Sequence, residues 1–140
     1  MSMDGLGRVF NVIAVADGVN VDLTNASAVT FVCYLDAGDT FTVQEHVGAA
    51  GAGQDLDVVD HYYTSSGVGG AWAKQTQTAD AAVVISGATN LDAAVFTVLA
   101  SSLSDTYTHV DCTSTSTGTV VAILHDLSVQ RAPENLAALV

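Results

Sequence analysis

The chain is short of charge, and of cations above all. Only 13% of its 140 residues are charged, against about 25% in typical soluble domains. Three are basic (Arg8, Lys74 and Arg131) and 15 are acidic, so the net charge is −12. A nucleic-acid backbone is held by clustered Lys and Arg, and so is an anionic membrane surface; the sequence therefore implies no nucleic-acid and no membrane partner. Aromatic residues make up 6% of the chain, which leaves few rings for a sugar-binding platform. No apolar run approaches the ~18 residues of a membrane span. The start, Met1-Ser2-Met3-Asp4-Gly5, has neither a basic stretch nor a long apolar one. It reads as lacking a signal peptide, so synthesis in a cytoplasm is expected. Two cysteines, Cys33 and Cys112, lie in apolar strand-like runs and read as small buried hydrophobes. Spacing alone leaves open whether they pair.

What is present is alternation and β-branching, punctuated by Gly, Asp and Asn. At 140 residues the chain fits one domain, which buries roughly two thirds of its unfolded surface without a metal or disulfide staple. Strands are expected over Arg8–Ala16, Val19–Asp22, Ala28–Leu35, Thr40–Val47, Asp55–Thr64, Ala71–Thr78, Ala81–Ser86, Ala93–Ala100, Thr106–Thr113 and Thr119–Leu127; in Asp55–Thr64, Leu56, Val59 and Tyr63 also fit a helical face, while Val58-Val59 and Tyr62-Tyr63 favour the strand. In the first, Val9, Ile13 and Val15 would share a face. Thr40–Val47 would return as the second arm of a hairpin with Ala28–Leu35. Thr106–Thr113 would pair with Thr119–Leu127 through a Ser/Thr/Gly turn. The last of these strands is apolar on both faces, which suits a central position. Short strands at this spacing, with no convincing helix, predict an all-β, single-domain antiparallel β-sandwich or jelly roll. Residues 1–127 would form the sandwich and 128–140 an extended C-terminal arm, where Pro133 resists ladder pairing.

Few constellations carry chemistry. The four histidines, His46, His61, His109 and His125, contain no His-x-His pair, and Glu45 and His46 point to opposite faces of a strand. Strand-end or surface positions are expected, with no metal and no cofactor. Asp55, Asp57 and Asp60 form an acidic cluster without the full spacing of a calcium loop, and read as solvated. No Gly-x-Ser-x-Gly elbow and no phosphate loop occurs. No catalytic residues are assigned and no enzyme activity is expected.

Three stretches carry a family resemblance: Ala71-Trp72-Ala73-Lys74-Gln75-Thr76-Gln77-Thr78, Ala94-Val95-Phe96-Thr97-Val98, and Leu124-His125-Asp126-Leu127-Ser128-Val129-Gln130-Arg131-Ala132-Pro133-Glu134-Asn135-Leu136. Together they resemble small virion proteins of tailed actinobacterial phages, in particular capsid decoration or minor head proteins. The resemblance covers the C-terminal half and the Thr30–Thr42 segment. It implies a virion structural protein on the outer capsid surface, set as a homotrimer near local threefold axes and bracing the major capsid protein. The negative charge fits an outer position, since packed DNA would repel it. The same charge is also expected of proteins from a salty habitat.

The interface would be built from Tyr62, Tyr63 and Trp72 in one region and from Arg131, Pro133, Leu136, Leu139 and Val140 in the arm. Arg131 would make an intersubunit ion pair or fork onto a carboxylate. Three other readings compete. A tail or head–tail connector protein would form a ring. A carbohydrate-binding or adhesin module would use Trp72 and the nearby tyrosines. A cupin-like enzyme would hold a bound metal.

Overall fold

The computed structural model describes residues 11–35, 37–88 and 91–128. Eleven strands run through them with no α-helix: β1 Asn11–Ile13, β2 Val21–Asp22, β3 Ala26–Tyr34, β4 Asp39–His46, β5 Gly53–Asp55, β6 Val59–Ser65, β7 Ala73–Asp80, β8 Ala82–Ile85, β9 Ala93–Leu99, β10 His109–Ser114 and β11 Thr119–Leu127. A single 3-10 turn, Ala100–Ser102, follows β9. The ladders build two antiparallel sheets. Sheet I has the order β1-β11-β3-β9-β6-β7, and sheet II has β2-β10-β4-β5 with β8 also on β4. β8 and β5 lie end to end along one edge of β4, β8 on Asp39–Thr42 and β5 on Gln44–His46.

Period-two patterning explains why the sheets stack. In β3, Val29, Phe31 and Cys33 are buried while Thr30, Val32 and Tyr34 alternate outward. Val120, Ala122 and Leu124 do the same in β11, as do Phe41 and Val43 in β4 and Val110 and Cys112 in β10. Each sheet thus has one apolar face, and apposing the two faces removes both from water. The Phe31 and Phe96 rings pack at 5.7 Å in this layer, tilted by 44°. Leu103 and Tyr62 pack against its margin.

The strand order is that of a jelly roll: β1-β11-β3-β9 in one sheet and β2-β10-β4-β8 in the other, the chain crossing between sheets at nearly every step. The β5-to-β7 excursion is inserted between β4 and β8, and β6 and β7 widen sheet I beyond β9. Two expected hairpins are therefore corrected. β3 and β4 lie in different sheets, and so do β10 and β11. Alternation tells which face of a strand is buried, and two amphipathic strands can satisfy it edge to edge or face to face. Here they stack face to face. The β3–β4 crossing is tight at Gly38, where an added Cβ would run into the Gly87 backbone. The first strand also ends earlier than expected: Val15 is 74% exposed, beyond the end of β1 at Ile13, while the expected start at residues 8–10 lies outside the described residues. β11 does lie inside its sheet, between β1 and β3.

Cys33 comes from β3 and Cys112 from β10, one from each sheet, and both are free and fully buried. Interaction with the Cys33 thiol, together with burial, pushes the Cys112 thiol well above its ordinary range. The folded protein should therefore react slowly with disulfides, since the thiolate is the nucleophile. Refolding in oxidised glutathione is expected to close a Cys33–Cys112 disulfide. It would span roughly 80 residues and stabilise the fold by about 4 kcal/mol. The check is thiol titration of the denatured product: no free thiol is expected, and two free thiols would refute the pairing.

Candidate functional site

The outer face of sheet I holds the least polar exposed surface among the described residues. Cross-strand register sets its rows. One row runs Val121, Val32, Val95, Tyr63, Lys74. The next towards one end runs Thr119, Tyr34, Ala93, Ser65. Val12 and Ile123 pair at the β1 edge, and Leu99 faces Ala28 at the opposite end. Val12, Tyr34, Tyr63, Trp72 and Leu99 are all at least two-fifths exposed. Single exposed hydrophobes are ordinary, but several on one face mark a contact surface.

Charge sharpens the contrast. In a chain of net charge −12, the described carboxylates of sheet I lie near strand ends: Asp60 is second in β6, Asp80 closes β7 and Asp126 is next to last in β11. Lys74 lies in the first row, and His61 and His125 are the histidines of this face. Thr30, Thr97 and His125 tie the middle together, with Thr30 Oγ1 2.8 Å from Thr97 Oγ1 and 2.7 Å from His125 Nε2. Asp60 pairs with the exposed His61, whose hydrogen bond holds the Asp60 carboxyl below its ordinary range. The His61 ring meets Tyr63 edge-on at 6.1 Å.

Three other polar groups are built into the frame. Asp39, on β4, is buried and accepts from Ser114 Oγ at 2.6 Å and from the backbone N–H groups of Thr115, Ser116 and Gly118. Glu45 is 1% exposed and accepts from Gln54 Nε2 at 2.6 Å and Ser104 N at 2.7 Å. His46 Nε2 lies 3.4 Å from Asp111 Oδ2. That contact is an ion-pair distance without hydrogen-bond geometry, for His46 Nε2 makes no hydrogen bond. Burial pushes the Asp111 carboxyl up, against the pull of His46. All three bind neighbouring strands and loops, and none opens into a cleft.

The residues expected at an interface separate in space. Tyr63 is exposed on β6, one strand in from the β7 edge of the outer face of sheet I, and Trp72 is exposed just before β7 on the same side. Tyr62 turns the other way and packs half-buried against the core. Arg131, Pro133, Leu136, Leu139 and Val140 lie outside the described residues. Asp55, Asp57 and Asp60 do not converge: Asp55 accepts from Gln44, Asp57 from the backbone of Ala81, and Asp60 meets His61. Among the described residues no group of three His, Cys, Asp or Glu is placed to hold a metal. His46 stands at the end of β4, as a strand-end position requires, but it is buried: the Gly51–Gly53 segment folds over its ring, with Gly51 O 3.0 Å from Nδ1. Sequence reading missed Tyr34, although its alternation with Phe31 and Cys33 already turns it outward.

Compared with protein families, curated proteins and solved structures, the chain matches none.

Proposed function

We propose that the chain is a structural protein that decorates the outside of a phage head, docking on the shell through the outer face of sheet I. The observation that carries this is the apolar, carboxylate-free field at Val32, Val95, Val121 and Tyr63 on an otherwise acidic molecule. Two acidic surfaces repel, so association is cheapest where carboxylates are missing. The sequence resemblance to head decoration proteins supplies the kind of surface, and the jelly roll is compatible with it, being a fold that virion proteins share with lectins and cupins.

Size argues for many copies. Six strands span about 24 Å, and with a height of roughly 20 Å the face offers about 500 Å². A standard interface buries about 800 Å² on each partner. One such face holds weakly on its own, and a repeating shell turns weak contacts into avidity, more so if the protein arrives as a trimer. The arm from Arg131 to Val140 would add area to the same contact. The major capsid protein is then the partner and the outer capsid surface the location, with no cofactor and no catalysis.

Two measurements test this. The chain should sediment with undecorated heads of tailed actinobacterial phages, and binding should saturate at a fixed number of copies per head. Failure to bind at any concentration contradicts the proposal. Light scattering should give a trimer for the full chain and a smaller mass for a chain ending at Gln130. A ring of six or more would favour a tail or connector protein.

A further inference from the structure

At the end of sheet I nearest the β6–β7 and β10–β11 connections, two open depressions of about 420 and 430 Å³ meet at Tyr34 and Asp92. Tyr34 is 54% exposed and Trp72 is 55% exposed. The first depression continues past Tyr34 to Thr117 and Thr119, and the second past Asp92 to Ser65, Val68 and Trp72. Together they make a groove that crosses the sandwich end, with an aromatic side chain in its middle and another at one end.

Three features of this groove are unexplained by folding. Its two rings bury little, whereas Phe31, Phe41 and Phe96 are all in the core. The Asp92 backbone is a strut, its N–H donating to Ser65 O and its C=O accepting from Leu35 N, both at 2.9–3.0 Å. Its carboxylate, by contrast, makes no hydrogen bond to any described residue. Gly67 gives that carboxylate its room: with φ +98° Gly67 sits where a side chain is strained, and an added Cβ would strike Asp92 Oδ2.

We propose that this groove binds a neutral oligosaccharide. A pyranose presents an apolar C–H face and a rim of hydroxyls. Exposed Tyr34 and Trp72 supply flat apolar surfaces for the former. The Asp92 carboxylate supplies a strong acceptor for the hydroxyls, with Ser65, Thr117 and Thr119 beside it. Two adjoining depressions of about 420 and 430 Å³ suit a chain of sugars rather than one. Sulfated and uronic-acid glycans are excluded, because a −12 molecule repels polyanions and Asp92 stands at the point of contact. The groove lies at the rim of the proposed docking face and shares Tyr34 and Trp72 with it, but sugar binding by the free chain does not depend on docking. A decorated surface would thereby carry many copies of a weak sugar site.

Trp72 is the only tryptophan and lines the groove, so its fluorescence reports on the site directly. The full chain is titrated with maltohexaose, cellohexaose, chitohexaose and mannohexaose, each to about 10 mM, which reads dissociation constants into the millimolar range. Choline chloride is titrated in parallel, since rings beside a carboxylate could also cage a cation. At least one hexaose should change the emission saturably. Tyr34→Ala and Asp92→Ala should each weaken it roughly tenfold, about 1.4 kcal/mol, and Gly67→Ala should weaken it too. Tyr63→Glu, on the docking face, should leave it unchanged. Melting temperature controls for folding, and calorimetry reads Trp72→Ala, where the reporter is gone. The proposal is overturned if no hexaose binds, if Tyr34→Ala and Asp92→Ala bind as tightly as the parent, or if choline alone saturates the groove.

Discussion

Replacing Asp39 by alanine should lower the stability of this protein by about 3–5 kcal/mol, the largest loss expected from any single polar side chain in it. One carboxylate gathers the whole connection between β10 and β11. Its Oδ2 takes Ser114 Oγ–H at 2.6 Å and Gly118 N–H at 3.0 Å; its Oδ1 takes the N–H groups of Thr115 and Ser116 and, more weakly, the Thr115 hydroxyl at 3.2 Å. It also accepts from Thr40 N at 2.7 Å. Truncation would strip four backbone N–H groups of their acceptor at once in a part-buried site, and donors that water does not fully reach cost more unpaired than they contribute when paired. For a chain of this size the melting temperature should fall by roughly 10–15 °C. A fall under about 3 °C would show that the loop holds itself.

The same carboxylate sets an acid limb. Burial raises the Asp39 pKa, but hydrogen bonds from Ser114, Thr40, Gly118 and Thr115 outweigh it, and the folded value lies below the ordinary 3.8. A lowered pKa means that the stabilisation is complete above 3.8 and is lost as pH falls through the folded value. Glu45 behaves alike from 4.5 downward, where hydrogen bonds from Ser104 and Gln54 overcome burial. Asp111, raised by burial, works in the opposite sense: its contribution is full below 3.8 and is lost as pH rises through the folded value. Melting temperatures followed from neutral pH down through this window should decline for the parent. The decline should be shallower for Asp39→Asn, which has no charge to lose. An identical slope would remove Asp39 from the account.

The second large effect concerns the proposed docking on phage heads. Tyr63→Glu combined with Leu99→Glu should abolish binding to phage heads while leaving the melting temperature nearly unchanged. Both side chains are exposed, at 41% and 51%, so neither substitution opens the core. Each places a carboxylate in the field that lacks one, and an unpaired charge desolvated at an interface costs several kcal/mol. Spread over many contacts of one shell, that cost is multiplied by the loss of avidity. A control pair at Val68 and Thr106, both exposed in loops, should bind like the parent. Equal binding by the sheet pair and the control pair would move the docking surface elsewhere.

Alternation made much of this fold legible before the structure. Alternation over Ala28–Leu35 puts Val29, Phe31, Cys33 and Leu35 on one face, and all four are buried. The doubly apolar Thr119–Leu127 strand was expected inside a sheet, and it pairs on both sides. Partner choice was not legible. Period two fixes a face, while the edge a strand pairs with depends on contacts far along the chain, such as Phe31 beside Phe96. Asp39 shows the same limit at one residue. It closes a stretch, Asp36-Ala37-Gly38-Asp39, that reads only as a tight connection. Only the jelly-roll crossing brings residues 114–118 around it. The candidate site divides likewise. Trp72 and Tyr63 stood out as scarce aromatics, whereas Tyr34 and Asp92 gain their role from a groove assembled by strands distant in sequence.

The most direct test of the central claim is an electron cryomicroscopy reconstruction of phage heads decorated with this protein. The account predicts that sheet I lies against the shell, with Val32, Val95, Val121 and Tyr63 in the contact and the β2-β10-β4 sheet facing solvent. A jelly roll standing with sheet I turned to solvent would contradict it.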